Sequence, residues 1–215
     1  MISRASYMNS PYIGVFSVAN DNFAFVPNAC PESFSSVIEE TLKVDAVPCS
    51  IAGTGLLGIF LSINNNTAVV SDIVEKEELA VLKDHFSEVI VIAESFTAVG
   101  NLMAMNDKGI VCSPVLRGEL DLPKTHYMTI AGSNLVGSYL YANNKGFITH
   151  RDTDDIGLNE LQEALKVKGN IGTVNMGDPH VATGIVGNTN GIVAGTFTSG
   201  PELNRIDDIF VFEQE

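Results

Sequence analysis

Residues 58–70 read GIFLSINNNTAVV and contain the pattern that decides the fold. Gly58 is followed six positions later by Asn64, which opens the four-residue box Asn64-Asn65-Asn66-Thr67. An asparagine at the first position of a tight turn bonds through its side chain to the backbone ahead of it. Strand-like residues flank the box at 59–61 and 68–70. The segment therefore predicts a β-hairpin with the box at its tip.

The same pattern recurs along the whole chain. The anchor is glycine at positions 14, 58, 100 and 137 and alanine at 182, so consecutive anchors are 44, 42, 37 and 45 residues apart. The other four boxes are Asn20-Asp21-Asn22-Phe23, Asn106-Asp107-Lys108-Gly109, Asn143-Asn144-Lys145-Gly146 and Asn188-Thr189-Asn190-Gly191. Asn/Gly turns are common in any β-rich protein, but five at one offset from an anchor indicate a repeat of about 43 residues.

A helical pattern and one further strand follow each hairpin. The spacing of apolar residues predicts helices over 31–42, 75–82 and 154–165, and shorter ones over 116–122 and 201–209. Further strands are predicted over 44–51, 89–93, 127–131 and 171–175, with an opening strand over 2–7. The repeating module is therefore a strand, a hairpin and a helix.

The last module has no full strand after its helix, whereas the first begins with one. Bending the array into a ring lets the N-terminal strand take the missing place and removes two exposed sheet edges. We therefore predict one α/β domain over residues 1–215, a five-fold pseudosymmetric ring (an α/β propeller) around a central channel. Its repeats span about 1–43, 44–86, 87–124, 125–168 and 169–215.

Composition excludes several classes of protein. Hydrophobic residues make up 45% of the 215, which is too many for a disordered chain. The net charge of −14 and the absence of tryptophan argue against binding free DNA. Residues 46–71 are uncharged but contain no unbroken apolar run of membrane-spanning length, which is about 20 residues. With three isolated cysteines and no secretory signal, we expect a cytoplasmic protein.

One motif resembles a functional site without the context that such a site needs. Residues 53–58 match the dinucleotide fingerprint GxGxxG, but the following residues favour a hairpin arm over the long helix that would face a pyrophosphate. The four histidines are dispersed, and none has the spacing of a metal ligand pair. We expect neither a cofactor nor a metal.

Several phrases, in this order and spacing, are shared with a known family. They are Ile13-Gly14-Val15-Phe16, Ile51-Ala52-Gly53-Thr54, Ala98-Val99-Gly100-Asn101, Asn106-Asp107-Lys108-Gly109, Val136-Gly137-Ser138-Tyr139, Asn144-Lys145-Gly146 with Thr149-His150, Gly172-Thr173-Val174-Asn175 and Thr198-Ser199-Gly200-Pro201-Glu202-Leu203. The chain resembles the translation initiation factor 6 family, the ribosome anti-association factors of archaea and eukaryotes. Its short C-terminus is similar to that of the archaeal members.

The resemblance implies a pentein ring that binds the large (50S) ribosomal subunit as a monomer. Contact would be near the sarcin-ricin loop and chiefly with ribosomal protein, where the factor would sterically block the small (30S) subunit. A ligand that binds only the free large subunit shifts the association equilibrium by mass action, without a chemical reaction. The acidic chain suits a basic protein surface better than bare RNA.

The resemblance also implies which residues bind the ribosome. They lie where the hairpins start: Gly14, Gly53, Thr54, Gly55, Gly100, Asn101 and Asn175. Backbone geometry alone would also explain Gly14 and Gly100, so Asn101 is the strongest of these candidates. Family members often carry arginine after Gly-Thr and in the second turn box, whereas this chain has Gly55 and Asn65-Asn66. An arginine-based contact from the second module is therefore not expected.

Two other functions remain open. Guanidine-modifying enzymes resemble the same ring and use a cysteine nucleophile late in the chain, but no cysteine follows Cys112 here. A ring-shaped adaptor for some other protein partner is the second alternative.

Overall fold

The computed structural model describes residues 1–93, 95–120 and 122–210. Fifteen strands are present in these ranges. They are β1 (Ile2–Ala5), β2 (Val18–Ala19), β3 (Phe23–Pro27), β4 (Asp45–Cys49), β5 (Leu61–Ile63), β6 (Thr67–Ser71), β7 (Glu88–Ile92), β8 (Met103–Met105), β9 (Ile110–Cys112), β10 (Thr125–Tyr127), β11 (Leu140–Ala142), β12 (Gly146–His150), β13 (Lys168–Gly172), β14 (Ile185–Gly187) and β15 (Ile192–Gly195).

The helices fall into two sets. Four are long: α2 (Glu32–Leu42), α4 (Lys76–His85), α7 (Asp155–Leu165) and α8 (Gly200–Phe210). Four are single turns around the anchor glycines: α1 (Ile13–Phe16), α3 (Leu57–Phe60), α5 (Val99–Leu102) and α6 (Val136–Tyr139). Two 3-10 turns, Pro114–Leu116 and Val181–Gly184, occupy the remaining places in the third and fifth modules.

The strands form five three-stranded sheets of one design. Their orders are β2-β3-β4, β5-β6-β7, β8-β9-β10, β11-β12-β13 and β14-β15-β1. In each sheet the first two strands form the antiparallel hairpin and the third runs parallel to the second. Each parallel crossover passes through a long helix, except in the third module, where the Pro114–Leu116 turn replaces it.

The ring closes as predicted. β1 pairs in parallel with β15, from Ile2 opposite Ile192 to Ala5 opposite Gly195. The N-terminal strand thus completes the last sheet, just as β4, β7, β10 and β13 each complete the sheet of the module before them. The architecture is a closed α/β ring of five modules.

The hydrophobic core lies between neighbouring sheets. A typical cluster joins Phe25 of β3, Val70 of β6 and Leu82 of α4, all fully buried. Each long helix is wedged between its own sheet and the preceding one, which accounts for its apolar stripe. The first strand of each sheet lines the centre of the ring, so the third strand is the outermost.

Several local predictions were wrong. The stretch at Ile59–Phe60, expected to be part of a strand, forms a helical turn at a point where the anchor glycines pack closely, as does the corresponding stretch at Val15–Phe16. The strands expected over 127–131 and 171–175 lie earlier, since tight turns occupy residues 130–133 and 174–178. The fifth helix is full length, and Ile156 is exposed rather than packed. The short helix expected over 116–122 includes Asp121, outside the described residues.

Candidate functional site

The five turn boxes lie together at one end of the ring, which we call the hairpin rim (residues 20–23, 64–67, 106–109, 143–146 and 188–191). In each box the first asparagine accepts, through its Oδ1 atom, the N–H groups two and three residues ahead, as predicted. Its Nδ2 atom donates to the backbone oxygen of the first asparagine in the next box. These five bonds, in the order Asn20, Asn64, Asn106, Asn143, Asn188 and back to Asn20, measure 3.0, 3.3, 3.1, 2.9 and 3.0 Å. They form a closed circle.

A second layer of polar contacts closes the axis of the hairpin rim. The Nδ2 atom of Asn65 donates to Oδ2 of both Asp21 (2.9 Å) and Asp107 (2.7 Å), and Asn144 donates to Asp107 at 2.6 Å. Burial raises the pKa of Asp21, but hydrogen bonds from Asn65, Thr189 and Asn144 outweigh it and hold that pKa below its usual range. The Asp21 carboxylate therefore stays ionised and bonded, and the hairpin rim satisfies many of its polar groups internally.

The opposite end of the ring is built from turns. Because β4 runs parallel to β3, and β3 starts at a hairpin tip, the chain leaves both strands at the far end. There it makes tight turns and then enters the single-turn helices. We call this end the turn rim (residues 7–17, 51–60, 130–139 and 174–184, together with α5).

Three turns on this rim share one backbone geometry, and a fourth, in the last module, is one residue longer. The backbone pairs Tyr7 with Ser10, Ile51 with Thr54, Ile130 with Ser133 and Val174 with Asp178. The residues between them include consecutive positive φ angles, such as 52° and 68° at Ala52 and Gly53, and 49° and 67° at Asn175 and Met176. Positive φ at both central positions is typical of type I′ turns and is unfavourable for residues other than glycine. Turns with this backbone conformation therefore need stabilising contacts from other parts of the fold.

Glu78 holds the turn at Ile51–Thr54. It occupies the third position of α4 and forms a capping box with Glu75. Its carboxylate also accepts the N–H groups of Ala52 at 2.7 Å and Gly53 at 2.9 Å. Burial raises the pKa of Glu78, but these backbone hydrogen bonds outweigh that effect and lower it. An ionised carboxylate thus fixes the strained turn.

Glu202 repeats this arrangement in the fifth module. It accepts the N–H of Ser199 at 2.7 Å and, from the turn, the N–H groups of Met176 at 3.2 Å and Gly177 at 2.9 Å. Burial acts to raise its pKa, and the hydrogen bonds from Ser199, Thr173 and Gly177 lower it overall. Sequence reasoning missed both glutamates, although the capping-box spacing in Ser199-Gly200-Pro201-Glu202 is a signal that could have found one of them.

The anchor glycines pack against one another around the axis. A Cβ at Gly58 would overlap the backbone oxygen of Gly14, one at Gly100 would overlap that of Gly58, and one at Gly137 would overlap that of Gly100. A Cβ at Gly14 would overlap the oxygen of Ala182, so four close approaches link the five anchors. Close backbone approach therefore explains Gly14 and Gly100, two of the seven residues implied by the resemblance.

The other implied residues occupy different places on the turn rim. Gly53 and Thr54 are exposed, and Gly55 is half-buried against Pro27. Asn175 donates to Pro11 O at 3.1 Å and so ties the fifth module to the first. Asn101 lines the central cavity, where its Oδ1 accepts from Ser138 Oγ at 3.0 Å. Only Gly53 and Thr54 of the seven face solvent openly.

Two methionines are the most exposed large apolar residues of the turn rim. Met8 is 76% exposed and Met176 is 79% exposed, each at a positive-φ position of a tight turn. Tyr12, on the same rim, is 40% exposed. Solvent-exposed methionines offer a polarisable, adaptable contact surface. Sequence reasoning did not select these residues, since a methionine in a turn carries no signal of its exposure.

The cysteines and histidines do not combine into a nucleophilic site. Burial raises the pKa of both Cys49 and Cys112 to about 12, so these thiols are protonated at neutral pH. Neither is among the residues described as lining the central cavity, which has a volume of about 100 Å³. His180 Nδ1 lies 2.9 Å from Asp178 Oδ1 on the turn rim. Over the described ranges, no three His, Cys, Asp or Glu side chains are arranged to hold a metal ion.

Comparison with known proteins identifies the family. The model of the eIF-6 family matches residues 2–209. The chain belongs to this family. Translation initiation factor 6 from Pyrococcus horikoshii is 34% identical, with 98% of this chain and 99% of the relative covered. The factor of the same name from Staphylothermus marinus is 34% identical, with 95% of each chain covered. The protein is thus a translation initiation factor of the eIF-6 family.

Solved structures show a weaker likeness. DDAH from Pseudomonas aeruginosa superposes with a TM-score of 0.47 and 12% identity, over 74% of this chain and 68% of that one. A second dimethylarginine dimethylaminohydrolase gives a TM-score of 0.49, also at 12% identity, over 79% and 69% of the two chains. In the ranges that the structure describes, no helix has the length and apolar character needed to cross a membrane.

Proposed function

We propose that this translation factor binds the large ribosomal subunit through its turn rim and thereby keeps the small subunit from joining it. The factor acts as a monomer in the cytoplasm, and no bond is made or broken. Family membership supports a role in translation. Our choice of the turn rim rests on one contrast between the two ends of the ring. The hairpin rim is closed by its own hydrogen bonds, whereas the turn rim exposes Met8, Met176 and Thr54.

The chemistry of the turn rim suits a protein surface. Its turns present backbone groups and methionines in fixed positions, because Glu78 and Glu202 hold two of them. A binding surface that is already ordered loses little entropy on association. The net charge of −14 favours basic ribosomal protein over exposed phosphate, in keeping with a site near the sarcin-ricin loop made chiefly of protein.

Cosedimentation with isolated ribosomal subunits tests the proposal. The purified protein is expected to sediment with large subunits and to reduce their joining to small subunits. Met176→Lys adds a positive charge to the turn rim, which would repel a basic partner surface, and is expected to weaken binding by roughly tenfold, or about 1.4 kcal/mol. Asn66→Lys adds the same charge to an exposed position of the hairpin rim and is expected to leave binding unchanged.

Three outcomes would contradict the proposal in different ways. No cosedimentation at micromolar protein would refute large-subunit binding and favour an adaptor for another partner. A loss of binding in Asn66→Lys alone would move the contact to the hairpin rim. Turnover of an arginine derivative that disappears in Cys112→Ala would identify an enzyme instead.

A further inference from the structure

The outermost strand of the second sheet, β7, has an open edge. β5 lines the central cavity, β6 lies next to it, and β7 lies on the far side. Glu88 N donates to Asn66 O at 3.1 Å, and Ile92 O accepts from Asp72 N at 3.0 Å. Backbone groups alternate in direction along a strand. Those of Val89 and Val91 therefore point away from β6, out of the sheet.

These outward groups are unpaired. Within the described chain, the N–H and C=O groups of Val89 and Val91 have no hydrogen-bond partner. Val91 is 44% exposed, and the whole of β7 reads Glu-Val-Ile-Val-Ile. A short, β-branched edge with free backbone groups is a template for another strand.

The equivalent edge in the first sheet is blocked at both outward positions. The two edges can be aligned by their registers, because Asp45 pairs with the first residue of β3 and Glu88 pairs with the first residue of β6. In this alignment Ala46 corresponds to Val89, and Pro48 corresponds to Val91. Glu39 of α2 accepts the N–H of Ala46 at 3.1 Å. Pro48 has no N–H to offer.

The remaining edges are also covered or charged. In β13 the Ile171 N–H donates to Asn170 Oδ1 at 2.8 Å, and the Ile171 oxygen accepts from Arg205 at 3.2 Å. In β10 the guanidinium of Arg117 lies 5.1 Å from the Tyr127 ring, and in β1 the outward position holds Arg4. Natural proteins use such devices to prevent strand addition. β7 has only Glu88 at its start.

We propose that the outer edge of β7 is a docking edge for an extended, basic segment of a partner protein, which adds to the sheet as a fourth strand. Backbone hydrogen bonds to Val89 and Val91 would supply the pairing. Charge selects the partner: residues 72–92 contain six carboxylates and two lysines, and Asp72 and Glu88 lie at the two ends of the strand. A second copy of this acidic chain would repel itself at the same edge. This inference stands apart from the turn-rim proposal.

A short peptide of alternating lysine and valine is the probe. Hydrogen exchange measured by NMR on the full chain is expected to show roughly tenfold slower exchange of the Val89 and Val91 amides when the peptide is added. A matched peptide of alternating glutamate and valine is expected to give no protection. A lysine–valine peptide N-methylated on its backbone cannot complete the strand pairing and is expected to bind at least tenfold more weakly.

Two variants of one residue separate backbone pairing from side-chain contact. Val91→Pro removes the outward N–H, as Pro48 does naturally in β4, and is expected to weaken peptide binding about tenfold. Val91→Thr keeps the N–H and the branched shape and is expected to bind like the unaltered protein.

Equal protection by the acidic peptide would overturn the charge assignment. Peptide binding without protection of Val89 and Val91, or self-association abolished by Val91→Pro, would overturn the proposal. If Val91→Pro fails to fold, the N-methylated peptide decides the same question.

Discussion

The two rims of the ring are made from the same five modules but differ in what they leave for a partner. On the hairpin rim each asparagine side chain closes its own turn and donates to the next one, so five identical contacts make a circle. On the turn rim the modules diverge. Some turns are held by a glutamate, others are not, and methionines project into solvent. The polar contacts repeat on the hairpin rim and vary on the turn rim, which is the rim that we propose as the binding surface.

The largest effect is expected from breaking the circle on the hairpin rim. Asn188 is 1% exposed, and its side chain donates to Asn20 O and Leu42 O, both at 3.0 Å, and accepts two backbone N–H groups. Asn188→Ala is expected to reduce the free energy of unfolding by about 4 kcal/mol, since four hydrogen bonds are lost, three of them buried. Urea unfolding measures this. Asn66→Ala, at an exposed position of the same rim, is the control, and an equal loss in both variants would show that the circle is not special.

The close packing of the anchor glycines on the turn rim is expected to be nearly as sensitive to substitution. Gly58→Ala places a Cβ on the backbone oxygen of Gly14, so the modules must move apart. The expected loss is about 3 kcal/mol in the free energy of unfolding. Gly200→Ala is the matched control, because its Cβ would meet no atom within 4 Å. A normal melting temperature for Gly58→Ala would show that the modules are packed less tightly than described.

The glutamate clamps are expected to give the turn rim a dependence on pH. The pKa values of Glu78 and Glu202 are lowered in the folded protein, so their stabilisation is present above the unfolded-state value of 4.5 and is lost as the pH falls below it. Glu78→Gln with Glu202→Gln is expected to cost about 2 kcal/mol at neutral pH and to flatten the acid limb of the stability curve. Thermal unfolding between pH 3 and 7 checks this (roughly the range in which carboxyl groups titrate). An unchanged acid limb in the double variant would assign the pH dependence to other carboxylates.

The smallest effect on stability is expected at Asn101, where we expect substitution to weaken binding of the large subunit instead. Its side chain lines the central cavity and accepts a single hydrogen bond, from Ser138. Asn101→Ala is expected to shift the melting temperature by only about 2 °C, while weakening large-subunit binding roughly tenfold. Ser138→Ala removes the same hydrogen bond and serves as the control. Unchanged subunit affinity in Asn101→Ala would show that this cavity residue takes no part in the contact.

Local chemistry in the sequence was enough to predict the ring itself. The asparagine boxes, their spacing from the anchors and the missing last strand all follow from turn geometry and strand pairing, and β1 pairs with β15 as expected. The type I′ turns could also have been predicted from the sequence. Before three of the anchor glycines, two turn residues lie between an apolar residue and a Ser or Thr, as in Ile51-Ala52-Gly53-Thr54. The Ser or Thr stands four positions before the glycine.

Tertiary structure alone decided what each polar residue does. Asn20 donates to Asn64, 44 residues away, and Asn188 donates back to Asn20, 168 residues away. Glu78 and Glu202 reach turns that precede them by about 25 residues (25 to 26 in the chain). The sequence determines turns and strands because those depend on neighbours along the chain. The hydrogen-bond partners of a side chain, and its exposure to solvent, depend on residues that closure of the ring brings together. No local sequence pattern contains that information.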